Sequence, residues 1–171
     1  MNRLITVTQR LVLTALLGAG AANVQAEPVK LEATIASKGD VSLEFADGSQ
    51  HVVRLVQREG QLKGSGPLDG ASMLEWGMHD MTLAQGSADG SGYLVITKSP
   101  TDIAYLKFVW RARMSTGDNG QPLPLLAGHW EVVGATGTLK GLSGLGTLRI
   151  HVLKGSDRHW VMDGELKLPG A

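Results

Sequence analysis

Residues 103–113 read Ile103-Ala104-Tyr105-Leu106-Lys107-Phe108-Val109-Trp110-Arg111-Ala112-Arg113. On a two-residue period, Ala104, Leu106, Phe108, Trp110 and Ala112 share one side and Tyr105, Lys107, Arg111 and Arg113 the other. A helix would mix these sets and a strand separates them, so the stretch is predicted to be a strand with one dry face and one wet face.

The same period runs outward in both directions. Leu31, Ala33 and Ile35 interleave with Lys30, Glu32 and Thr34, and Val41, Leu43 and Phe45 interleave with Ser42 and Glu44, each set reading as a dry face. Asp47-Gly48 is a hairpin turn signal, His51 to Gln57 the returning strand, and Arg58-Glu59-Gly60-Gln61 the next turn. Strands are also predicted over Tyr93 to Lys98, His129 to Val133, Gly146 to Leu153 and Arg158 to Leu168, the last with Trp160, Met162, Leu166 and Leu168 on its apolar side. Thr116 to Pro124, with Gly117-Asp118-Asn119-Gly120 and two prolines, reads as a surface loop. No amphipathic helix is legible after residue 26. Strands joined by short turns must pack as two sheets or close on themselves; closure removes exposed edges, and glycines inside strand-like stretches suit its bends. The expectation is an all-β, antiparallel closed barrel of about eight strands rather than a sandwich.

The densest glycine pattern lies between Trp130 and Leu148. Trp130 to Val133 leads into Gly134 and Gly137, then Gly141, Gly144 and Gly146. A dinucleotide fingerprint is excluded because the spacing of Gly141, Gly144 and Gly146 runs in reverse and no helix follows, and the Gly-Lys-Ser/Thr run of a phosphate-binding loop is absent. The segment resembles instead the barrel of allene oxide cyclases and plant dirigent proteins, and of the small exported bacterial proteins that share it. The resemblance covers about 20 residues closely. It implies an eight-stranded antiparallel barrel with a hydrophobic lumen, and in the plant members oligomers that guide cyclisation or radical coupling. Their catalytic residues match no motif of this chain, so no activity is carried over.

The candidate chemistry is local. Met73, Met78 and Met81 place three of the six methionines within nine residues, with Trp76 and His79 between them. Thioether and imidazole suit Cu(I), which makes Met78, His79 and Met81 the candidates for a copper-binding alternative; methionine as a pliable lining for an apolar pocket is the preferred reading, with no metal. Glu75 and His79, four residues apart, share one face if the segment is a strand; with Tyr105 they form the candidate acid/base group of a cyclase or isomerase, against a structural hydrogen-bonded pair. Met73, Trp76, Met78, Met81, Trp110 and Trp130 are the candidate ligand-binding side chains. His51, His129, His151 and His159 have no nucleophile elbow or close ligand pair beside them, and no cofactor is called for.

Composition bounds the rest. The chain has 171 residues, no Cys, and equal numbers of basic and acidic residues at 16 each, which gives no electrostatic case for nucleic acid. Arg3 and Arg10 followed by the apolar run Leu11 to Ala19 and by Val24-Gln25-Ala26 have the form of a cleavable signal helix, too short to span a bilayer stably. Cleavage before Glu27 leaves 145 residues of the 171, with 14 basic against 16 acidic, a net charge of −2. The chain is therefore expected to be a signal peptide, 1–26, and one barrel domain, 27–171. It would be periplasmic or secreted, bind a small hydrophobic molecule in its lumen, and self-associate or meet an envelope partner.

Overall fold

A computed structural model describes residues 25–82, 85–116, 120, 122–153 and 155–168. The signal-like run up to Val24 and the Gly117-Asp118-Asn119 turn lie outside the described residues. Nine strands follow in order: β1 (Glu27–Glu44), β2 (His51–Gln61), β3 (Lys63–Gly64), β4 (Ser72–Thr82), β5 (Ser87–Thr97), β6 (Ile103–Thr116), β7 (Pro122–Ala135), β8 (Ser143–Val152) and β9 (Arg158–Lys167). The described residues contain no α-helix; a short 3-10 turn lies at Gly137–Leu139.

Every neighbouring pair is antiparallel. β2 is followed across the sheet by β4, β5, β6, β7, β8, β9 and β1, and β1 returns to β2, so eight strands close, and the short β3 pairs with Leu31 and Glu32 on the edge of β1 that β2 takes further along. The closing strand is shared along its length. Glu27 to Ile35 pair with β9, and Ile35 to Glu44 pair with β2, so Ile35 meets Arg158 on one side and Gly60 on the other. Beyond Ile35, β1 leaves β9 and pairs with β2 alone, while β2 keeps its pairing with β4 along its whole length.

Between Ser37 and Gly39 the register slips and Lys38 has no partner. One extra residue exchanges the faces of all that follow. Leu31, Ala33 and Ile35 are inside, but Val41 and Leu43, of the same numerical parity, stand on the outer face with 72% and 61% of their surface exposed. Their predicted dry face is thus a wet one. Two further expectations are corrected at element ends. Arg58 to Gln61 belong to β2 rather than to a turn, because they pair with Ser72 to Glu75 of β4. Pro122 to Pro124 extend β7 against Met114 to Thr116, shortening the predicted loop. The strand β4 was not predicted as such: Gly77 interrupts its apolar pattern.

One end of the barrel is packed solid. Leu31, Ile35, Met73, Leu94, Ile96, Leu106, Phe108, Trp130, Leu148 and Met162 fill it, and Leu62, Leu68, Leu139 and Leu142 cover it from the connecting segments. Phe108 and Trp160 meet edge to face at 5.0 Å between ring centres. Trp130 donates its indole N–H to the Thr147 carbonyl at 3.1 Å.

The large rings fit because glycines face them. Trp130, Gly146 and Gly164 lie in one cross-strand row, and a methyl group at Gly146 or Gly164 would come within 2.7 Å or 2.6 Å of the Trp130 ring. Of the other glycines in the segment, Gly137 and Gly141 turn the chain with φ of +58° and +91°. Gly144 stands close to the β9 backbone, and Gly134 sits beside a second bulge at Val133. Gly146→Ala is expected to lower stability by about 1–3 kcal/mol, because the new methyl meets both the ring and the Asp163 carbonyl. Gly39→Ala, which enters open space, should stay within about 0.5 kcal/mol of the parent in urea unfolding. Equal losses at the two positions would contradict this packing.

Candidate functional site

At the opposite end the barrel is open, and its lumen holds a cavity of about 400 Å³. The apolar wall includes Met81 of β4, Ala88 of β5, Trp110 and Ala112 of β6, Leu126 of β7 and Trp160 of β9. Arg58, Glu75, His79 and Arg158 are the ionisable residues lining it.

Glu75 is completely buried, and Arg58, its direct cross-strand partner, is 6% exposed. The Arg58 Nη1 donates to Glu75 Oε2 at 3.1 Å, and Arg58 Nε donates to the Ser156 carbonyl at 3.1 Å, tying β2 to the turn between β8 and β9. Glu75 Oε1 lies 3.1 Å from His79 Nε2. When that nitrogen carries the proton it donates to the carboxylate, leaving Nδ1 as the acceptor. A buried carboxylate is tolerable only with such partners; both of its oxygens have one here.

Contact between residues four apart on a strand requires an unusual gap, since their Cα atoms stand about 13 Å apart. Gly77 supplies it. A methyl group there would lie 2.8 Å from Glu75 Oε1 and 3.2 Å from His79 Nε2, in the space where the two side chains lean together. The same device works across strands. His79, Gly90 and Trp110 form one row over β4, β5 and β6, and the Trp110 indole occupies the space a side chain at Gly90 would need. It thereby reaches His79 edge to face, 4.9 Å between centres.

Of the residues singled out from sequence, Glu75, His79, Met81 and Trp110 meet at this cavity. Tyr105 does not join them. It is on the outer face of β6, one step out of phase with Leu106 and Phe108. Trp76 and Met78 also point outward, 52% and 47% exposed, because they alternate with Glu75, Gly77 and His79. That alternation separates Met78 from His79 and Met81, so the three do not converge as a copper site, and the described residues contain no cluster of three His, Cys, Asp or Glu suited to a metal. Met73 and Trp130 are buried in the packed end rather than at the cavity.

Arg58 and Arg158 were missed. The signal was phase: Arg58 shares parity with Val52 and Val56, and Arg158 with Trp160 and Met162, so each is a cation in step with apolar neighbours.

Arg58→Ala leaves the Glu75 carboxylate buried without its cation and is expected to cost about 3–5 kcal/mol in urea unfolding. The double variant Arg58→Met/Glu75→Leu, which removes both charges, should recover most of that loss. A double variant as unstable as the single one would show that the two charges are not coupled.

No family model matches the chain, and no curated protein and no solved structure matches it either.

Proposed function

We propose that this chain is an exported β-barrel protein, periplasmic or secreted, that binds a small apolar or aromatic molecule in its lumen without a cofactor. The observation that carries the reading is the open-ended cavity of about 400 Å³, within the range typical of small-molecule sites, with a mainly apolar wall and a few convergent polar groups. Export rests on the sequence pattern of residues 1–26. The outer wall argues against residence within a bilayer: Arg111 pairs with Asp89 at 2.6 Å and Arg149 with Asp163 at 3.1 Å on the exterior, where a membrane barrel needs an apolar belt. The likeness of the Gly134 to Gly146 segment to allene oxide cyclase and dirigent barrels is consistent with the eight-stranded closure.

A cyclase or isomerase is the second reading, favoured by one observation. Glu75 stands behind His79 within the lumen, as a carboxylate that orients an imidazole for proton transfer to or from a bound molecule. Self-association has its own support. Val41, Leu55 and Met78 are successive cross-strand neighbours on the outer face, all exposed.

The neutral fluorophore N-phenyl-1-naphthylamine tests lumen binding. It is expected to bind saturably at one site, and Ala112→Phe, which fills the cavity, should weaken it about tenfold or more while a cooperative thermal transition is retained. Trp76→Ala and Met78→Ala, on the outer face, should leave affinity unchanged. The reverse pattern would place the binding surface outside the barrel and contradict the proposal.

A further inference from the structure

The cavity has more positive than negative charge on its wall. Its lining includes two guanidinium groups, Arg58 and Arg158, and one carboxylate, Glu75. Arg58 and Glu75 neutralise each other at 3.1 Å. Arg158 is left. Its Nη1 donates to the Asp157 carbonyl at 2.8 Å and to the Gly155 carbonyl at 3.4 Å, and no ion pair among the described residues includes it.

Closure of the barrel puts this cation where it is. Arg158 opens β9 opposite Ile35, and Arg58 lies opposite Ser37 on the far side of the same strand, so the two arginines flank β1 at the floor of the mouth. From the lumen geometry we propose that the bound molecule carries one carboxylate on an apolar or aromatic body, with Arg158 receiving the carboxylate and the Trp110 to Leu126 wall receiving the body. This inference deepens the lumen-binding reading and rests on it.

One further observation agrees. Burial, and after it the neighbouring Arg58 cation, hold the Arg158 guanidinium below the ordinary arginine range, outweighing the opposite pull of Glu75 and Asp157. That is the condition of a cation short of counter-charge, which an incoming anion relieves. A guanidinium and a carboxylate suit one another through paired, charge-assisted hydrogen bonds.

Calorimetric titration of the purified chain with 2-naphthoate and with its neutral counterpart 2-naphthalenemethanol separates the possibilities. The proposal expects naphthoate to bind about tenfold or more tightly than the alcohol, with affinity falling as salt is raised. Arg158→Gln should remove that preference while leaving the alcohol's affinity unchanged. Arg158→Lys should keep part of it, and Arg149→Gln, on the outer wall, should keep all of it. Equal affinities in the parent chain, or a preference that survives Arg158→Gln, would overturn the assignment of the anion while leaving lumen binding intact. Failure of both compounds and of the neutral fluorophore to bind would overturn lumen binding itself, and this inference with it.

Discussion

The structure depends on the double pairing of β1. Its first half completes the ladder of β9 and its second half that of β2, and the change of partner falls at Ile35, which is hydrogen-bonded into the sheet on both sides. Closure satisfies backbone groups that an open sheet would expose, which matters in a chain with no disulfide to hold its ends. The same change of partner opens the mouth. Once β1 has left β9, its second half runs on along β2 alone while β2 stays paired to β4 in the wall, and the lumen at this end is walled but not capped. The packed end and the cavity therefore follow from one staggered strand.

Glycine shapes the interior as much as any side chain does. Trp130 lies over Gly146 and Gly164, Trp110 crosses Gly90, and Glu75 meets His79 over Gly77. In each case a missing Cβ lets a large or polar neighbour cross a space that a regular barrel interior would fill. A lumen lined only by Val and Leu would be tighter and more uniform. Here the large rings close one end, and the Glu75 carboxylate at the other accepts from Arg58, which also donates to the Ser156 carbonyl from across the closure.

Much of this was legible in the residues. The alternation from Ile103 to Arg113 separated the lumen face from the outer face correctly, and the even spacing of Glu75 and His79 placed them together. What failed was the step from a period to an absolute facing. A two-residue period says which residues share a side, but the side that is inside changes at a bulge, and nothing local at Lys38 announces one; Val41 and Leu43 were misplaced for that reason. Trp76 and Met78 were grouped with His79 by proximity in the chain, although their parity already set them apart. Arg58 and Arg158 were passed over because charged residues are assigned to turns and surfaces by habit of composition, whereas only closure of the barrel reveals that their side of the strand faces the lumen.

Methyl-resolved NMR of the chain titrated with 2-naphthoate tests the account most directly, because it reads the facing of each strand and the place of the ligand together. Shifts confined to Met81, Ala88, Ala112, Leu126 and Ile150, with Val41, Leu55 and Met78 unmoved, are the predicted result. Perturbation of Val41, Leu55 and Met78 with the lumen methyls silent would contradict it.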